Sequence, residues 1–96
     1  MKLRLNTTFR VRNCETAKAY AIQFSKSDMQ FLSKKHCMMI PVERQEMFEG
    51  QKWDILIPDW MIEKNEDLKK VCRYIYDFNK MNLNNTTDIW NKEKFS

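Results

Sequence analysis

The sequence predicts an α+β fold, in which a small curved antiparallel sheet or open barrel of four to five strands is closed by a C-terminal helix. Two patterns predict it. Residues 1–57 contain short segments in which apolar and polar residues alternate, the period of a half-buried strand. From residue 66 the apolar residues recur every three or four positions, as on an amphipathic helix. The chain of 96 residues is 43% hydrophobic and 31% charged, which fits one folded core and excludes a disordered chain.

Five segments are candidate strands. In residues 2–12 the odd positions are apolar or threonine and the even positions are polar or cationic, which predicts a strand about 33 Å long. Residues 18–24 alternate again and are expected to form a hairpin with it. Residues 29–32 predict a third strand, residues 37–40 a strand or a buried loop, and residues 52–57 a strand that stops at a proline. Residues 43–49 fit a strand or a helical turn.

The last third of the chain changes to a helical period. Asp59 is expected to cap a short helix over residues 60–64, and Asn65 a second helix whose first turn is acidic. Apolar residues on one face predict that this helix reaches about Lys80: Leu68, Val71, Cys72, Ile75 and Phe78. Residues 82–87 predict a loop, and the tail 88–96 either docks through Trp90 or frays. We therefore expect one domain over residues 1–81, followed by a polar loop and tail over residues 82–96.

Most of the large aromatic side chains are expected in the core, because a domain of this size needs such bulk to be stable. The spacing favours a core position for each of Tyr20, Phe24, Phe31, Trp53 and Trp60. The alternative is that some of these rings are exposed and stack on unpaired bases.

The charge is divided unevenly along the chain. The net charge is +4, but residues 1–40 carry eight Lys and Arg against two Asp and Glu, whereas residues 41–96 carry nine against eleven. Such an asymmetry indicates a partner of opposite charge more than a requirement of the fold.

The predicted first strand places its cations on one side. Lys2, Arg4, Arg10 and Arg12 share the even positions, and Lys34 and Lys35 follow later. A row of cations along an extended strand suits a polyanion such as nucleic acid. The alternative is that these residues only protect a strand edge against aggregation.

The sequence offers little catalytic equipment. Gly50 is the only glycine, which excludes glycine-rich phosphate loops and dinucleotide motifs. His36 and Cys37 are neighbours that point to opposite faces of a strand, so neither a zinc site nor a cysteine–histidine nucleophile is expected. We expect a surface histidine, reduced thiols, no cofactor and no metal. The acidic clusters lie among charged residues and are expected to be solvated: Glu43 and Glu46, Asp54 and Asp59, and Glu63, Glu66 and Asp67.

Three motifs resemble a pattern found in small uncharacterised proteins of bacteriophages and mobile elements. They are Lys18-Ala19, the segment Phe31-Leu32-Ser33-Lys34, and Ile57-Pro58-Asp59-Trp60-Met61. The resemblance covers residues 17–65. The chain departs from the pattern at Ser33, where proline is usual, and in the Lys35-His36 that follows. The resemblance implies an accessory protein of the phage type that acts near replication, recombination or host defence, and it implies no catalytic residue.

Two functions follow as hypotheses. The first is a non-enzymatic protein that binds nucleic acid or a nucleoprotein through the cationic strand. The alternative is an inhibitor of a host nuclease or defence system, in the manner of an anti-CRISPR protein, with an interface built from Trp60, Met61, Tyr74 and Tyr76. No apolar run is long enough to span a membrane, and the first residues do not form a signal peptide, so we expect the cytoplasm of a bacterial host.

Overall fold

A computed structural model describes residues 1–43 and 50–95, and the side chains of residues 1–43 and 50–81. It confirms the α+β class: the described residues form five strands in two antiparallel sheets, which do not close into a barrel, followed by two helices. The strands are β1 (Lys2–Leu5), β2 (Ala19–Ile22), β3 (Gln30–Ser33), β4 (Met38–Val42) and β5 (Lys52–Leu56). The helices are α1 (Asp59–Lys64) and α2 (Glu66–Phe95), and a 3₁₀ turn covers Arg12–Cys14.

The larger sheet has the strand order β1–β5–β4. Its central strand is therefore β5, the segment in which apolar and polar residues alternate clearly. In its register, Leu3 pairs with Ile55 and Leu5 with Trp53, while Met39 and Pro41 occupy the matching positions of β4. Because side chains alternate along a strand, these residues share one face, and Leu3, Leu5, Trp53 and Ile55 are buried on it. The other face carries the residues between them.

The first predicted strand is wrong beyond Leu5. The side chain of Asn6 accepts hydrogen bonds from the backbone N–H groups of Thr8 and Phe9, at 2.8 and 3.0 Å, which turns the chain. Only the segment around Arg10 then pairs with β2, through a single bridge to Ile22. Phe9 lies after this turn and is still buried in the core. The apolar residues of the sequence therefore keep a period of two although they do not belong to one strand.

The hairpin predicted between residues 18–24 and the first strand is wrong, because β2 pairs along its length with β3 and meets the first segment only at the bridge of Ile22 to Arg10. The remaining strand predictions are confirmed with small changes of boundary. β2 and β3 form a hairpin with Tyr20 opposite Leu32, and β4 continues through Pro41 to Val42. Pro41 is tolerated because β4 pairs with β5 on one side only among the described residues. The prediction for residues 43–49 lies outside the described residues, apart from Glu43.

Helix α2 covers one end of the core. Leu68, Val71, Cys72 and Ile75 are each no more than 2% exposed and belong to the buried core, where α2 lies against β1, β3 and α1. Asn65 caps this helix as predicted, because its Oδ1 accepts the N–H of Leu68 at 3.1 Å. The predicted cap at Asp59 is wrong: Pro58 holds the N-cap position of α1, and Asp59 is already in the first turn, with no side-chain capping bond there.

The loop predicted at residues 82–87 is wrong, because α2 continues to Phe95. The segment contains neither glycine nor proline, and each of its Asn and Thr residues costs less than about 1 kcal/mol in a helix that is already nucleated. Docking of Trp90 concerns a side chain outside the described set, and it stays a prediction, as does the division of the chain at residue 81.

The aromatic prediction is correct for only some of the rings. Trp53 is buried and Tyr20 packs half-buried against the core. Phe24, Phe31 and Trp60 are 37%, 58% and 48% exposed, so a core position is wrong for these three. In β2 the small Ala21 and the larger Ile22 are both fully buried, which a pattern of alternating size does not predict.

Candidate binding surfaces

The cations predicted to lie on one strand face are divided between two places. Lys2 and Arg4 lie on the solvent side of the larger sheet, where Asp54 of β5 stands opposite Arg4. The Arg4 guanidinium donates to both carboxylate oxygens of Asp54, at 2.8 and 3.2 Å, and Lys2 Nζ lies 3.7 Å from the same carboxylate. The hydrogen bond from Arg4 lowers the pKa of Asp54 despite its burial. Asp54 was expected to be solvated, which is wrong.

Arg10 is held by a second carboxylate. Its Nε and Nη2 donate to Glu15 at 2.8 and 2.9 Å, and the two side chains are only 11% and 9% exposed. Burial alone would raise the pKa of Glu15, but the Arg10 hydrogen bonds and charge, a backbone hydrogen bond from Ala21 and the charge of Lys34 together lower it. The guanidinium of Arg10 also lies over the ring of Trp53 at 4.6 Å. Arg10 is thus a structural cation.

Arg12, Lys34 and Lys35 have no ion pair with an acidic residue among the described residues. The Arg12 guanidinium lies 5.9 Å from the centre of the Trp53 ring, and Lys34 Nζ lies 5.1 Å from that of Tyr20. Lys35 is exposed in the turn between β3 and β4. The predicted common cationic face is therefore wrong, since the chain turns at Asn6 and Arg4 and Arg10 are paired internally.

A surface that the sequence analysis missed lies on the solvent side of the larger sheet. We call this the outer face, and define it by Met38, Ile40, Arg4, Asp54 and Leu56. Met38 pairs with Leu56, and Ile40 pairs with Asp54 in the next row of the same face. The exposed fractions of Met38, Ile40 and Leu56 are 58%, 42% and 38%. The outer face therefore combines three exposed apolar side chains with an internal ion pair.

Part of the signal for this surface was present in the sequence. Met38 and Ile40 alternate with Met39, and Leu56 occupies a position of β5 at which a half-buried strand is normally polar. Only the pairing of β4 with β5 brings the three together.

The four residues of the predicted protein interface do not form one surface. Met61 is half-buried, and its Sδ accepts a weak hydrogen bond from Cys37 Sγ at 3.8 Å. Trp60 is exposed and meets the ring of His36 edge-on at 5.3 Å. Tyr74 and Tyr76 are exposed, but residues two positions apart on a helix point in directions about 200° apart, so the two side chains lie on different sides of α2. The grouping of these residues into one interface is therefore wrong.

The histidine and the three cysteines differ in their exposure to solvent. His36 is exposed as expected, Cys37 and Cys72 are buried, and Cys14 is exposed. Burial raises the pKa of the Cys72 thiol to about 12, so it stays protonated. No group of three potential metal ligands is found in the described part of the chain.

Comparison with known proteins gives no relative: no protein-family model, no curated protein and no solved structure matches this chain. Within the described residues, no helix combines the length and the apolar character needed to cross a membrane.

Proposed function

We propose that this protein is a non-enzymatic binding protein that recognises another protein through the outer face. One observation carries the proposal. Met38, Ile40 and Leu56 are exposed on neighbouring strands and point to the same side of the sheet. Single exposed apolar residues are ordinary, but a contiguous apolar patch on a sheet face that no described element covers is typical of an interaction site. An aliphatic and methionine-rich surface of this kind is well suited to protein partners.

The charges at the edge of the patch indicate the chemistry of the partner. Lys2 and Arg4 on β1 flank the apolar side chains, and Asp54 compensates only one of the two positive charges. A partner surface with an apolar centre and an acidic margin would complement both features. The contact is expected to be face to face, because Pro41 has no N–H and weakens the free edge of β4 as a template for strand addition.

The protein partner proposed here agrees with the alternative hypothesis from the sequence, but the interface is the outer face and not the set of Trp60, Met61, Tyr74 and Tyr76. Binding of nucleic acid through the N-terminal strand depended on four free cations along one extended segment, a geometry that the protein does not have. An inhibitor of a host nuclease or defence system, the role suggested by the resemblance over residues 17–65, remains the specific form of the proposal. Such a nuclease or defence protein would need a surface with an apolar centre and an acidic margin.

The test is photo-crosslinking inside the cells that naturally contain the protein. A benzophenone amino acid replaces Met38 in one variant and Tyr76 in a control, since the control residue is 47% exposed on α2. We expect a discrete protein adduct from position 38 that survives nuclease digestion and is absent from position 76. Adding Ile40→Lys to the position-38 variant should remove the adduct, while the melting temperature stays close to that without Ile40→Lys because Ile40 is 42% exposed.

Equal adducts from both positions would contradict the proposal, because they would show unspecific contact. Adducts that disappear on nuclease treatment would also contradict it and would return nucleic acid as the partner. Anisotropy titrations with single- and double-stranded oligonucleotides at two ionic strengths provide the parallel measurement, since binding to phosphates weakens steeply with salt.

A further inference from the structure

A pocket lies on the opposite side of the larger sheet from the outer face. Its volume is about 280 Å³, and its walls include Thr7, Thr8, Arg10, Arg12, Gln23 and Trp53. Trp53 neighbours Asp54 in β5 and points to the other face of the sheet, so the pocket is separate from the proposed protein-binding surface.

The two arginines of this pocket differ in their availability. Glu15 holds Nε and Nη2 of Arg10, so the charge of Arg10 is compensated and its orientation over Trp53 is fixed. Arg12 is exposed, and its guanidinium lies over the Trp53 ring without an ion pair to any described carboxylate. The positive charge of the pocket therefore comes mainly from Arg12, whose planar fork of N–H groups suits the oxygens of a phosphate.

The remaining walls suit an anion that carries an organic group. Thr7 and Thr8 provide hydroxyl groups and Gln23 an amide, all of which can donate hydrogen bonds. A volume of about 280 Å³ is close to the lower end of the roughly 300–1,000 Å³ of small-molecule sites, so a phosphate alone would fill only part of the pocket. The indole of Trp53 adds an aromatic wall.

From these features we infer that the pocket binds a phosphomonoester on a group the size of a nucleoside. Arg12 pairs with the phosphate, the threonine hydroxyls donate to its other oxygens, and the organic group lies toward Trp53. The same chemistry is offered by a free mononucleotide and by the phosphorylated 5′ end of a nucleic-acid strand. This site is independent of the proposed protein-binding function.

The test uses Trp53 as its own reporter. Trp60→Phe and Trp90→Phe together leave Trp53 as the only tryptophan of the chain. Fluorescence is titrated with AMP, adenosine and inorganic phosphate, and calorimetry repeats the AMP titration on the unaltered protein. We expect AMP to bind with a Kd of about 1 mM or tighter, as a small pocket with one strong ion pair allows. Adenosine should bind at least about tenfold more weakly, because it lacks the charged group.

Variants separate the role of Arg12 from general effects. Arg12→Gln should weaken AMP binding about tenfold, and Arg12→Lys by less, because a point charge remains without the fork. The matched control is Arg73→Gln, which removes an exposed arginine of α2 and should leave binding unchanged. Far-UV circular dichroism and thermal melts verify that each variant folds.

A tetranucleotide with a 5′-phosphate, compared with its 5′-hydroxyl form, identifies the source of the ligand. Tighter binding of the phosphorylated strand than of AMP supports the strand end, and weaker binding supports the free nucleotide. The inference is overturned if AMP causes no response, if adenosine binds as well as AMP, or if Arg12→Gln binds like the unaltered protein. Ile40→Lys should not affect AMP binding, so failure of the proposed protein interface leaves this result interpretable.

Discussion

Glu15→Gln should destabilise the protein strongly, because it removes the charge that compensates Arg10. Glu15 accepts two hydrogen bonds from Arg10, and both side chains lie almost out of contact with solvent. The glutamine has nearly the same shape, so the perturbation is confined to one charge and one acceptor. It leaves the guanidinium of Arg10 buried without a compensating carboxylate and turns an amide N–H₂ toward a donor.

The expected loss follows from the geometry of the pair. Removing one partner of a fully buried ion pair costs about 3–5 kcal/mol. Here the side chains retain 11% and 9% exposure, and the ring of Trp53 still faces the guanidinium, so we expect roughly 2–3 kcal/mol. For a domain of this size, 1 kcal/mol shifts the melting temperature by about 4–8 °C, so a decrease of roughly 8–24 °C is expected.

Urea unfolding at several pH values measures both the loss and its origin. The pKa of Glu15 is lower in the folded protein than its ordinary value, so its carboxylate contributes stability above about pH 4.3, the value for an unperturbed glutamate. That contribution disappears as the pH falls through the lower folded-state pKa. The difference in free energy of unfolding between the unaltered protein and Glu15→Gln should therefore be full at neutral pH and should narrow in acid.

The matched control is Glu63→Gln, which neutralises an exposed glutamate of α1 and should change stability by less than about 0.5 kcal/mol. The reasoning is refuted if Glu15→Gln behaves like this control, or if its effect is the same at pH 3 and pH 7. Either result would mean that Arg10 and Glu15 are not coupled in solution as their geometry requires.

Three further predictions concern the core, the thiols and the outer face. Ile75→Ala should lower the free energy of unfolding, measured in urea, by about 2–5 kcal/mol because Ile75 is fully buried. Tyr76→Ala, at the next position, should lower it by less than about 1 kcal/mol, and equal losses would contradict the assigned helix face. In the folded protein only the Cys14 thiol should react quickly with a disulfide reagent, because Cys37 and Cys72 are buried and their pKa values are raised. All three thiols should react in denaturant, and three fast thiols in the native protein would contradict the packing. Asp54→Asn should lower stability by about 1 kcal/mol at neutral pH and less in acid, because the pKa of Asp54 is lowered by Arg4, which is itself partly solvated; a pH-independent loss would contradict this assignment.

Some of the fold could be predicted from the sequence because the signals are local. The alternation in β5 and the helical spacing of Leu68, Val71, Cys72 and Ile75 identify these elements, since each pattern records which side of an element is buried. Asn65 could be identified as a cap for the same reason, because its bond to the N–H of Leu68 spans only three residues.

Local patterns gave wrong predictions in two situations: where apolar residues of two segments continue the same period of two, and where the preference of a residue for turns is weak. Leu3, Leu5 and Phe9 alternate as in one strand, yet Asn6 turns the chain between them. The Asn and Thr residues after residue 81 favour turns only weakly, and α2 continues through them.

The order of amino acids was enough to specify the α+β class, the extent of the central strand, the buried stripe of the long helix and the uneven charge of the two halves. Which cations are paired depends on the folded arrangement, because Arg4 meets Asp54 and Arg10 meets Glu15 through strand pairing and chain turns that no local pattern encodes. The fold also makes Met38, Ile40 and Leu56 one surface, since Leu56 becomes a neighbour of the other two only through the register of β4 and β5. Charge and apolarity belong to each residue, whereas pairing and exposure depend on what the fold places beside it.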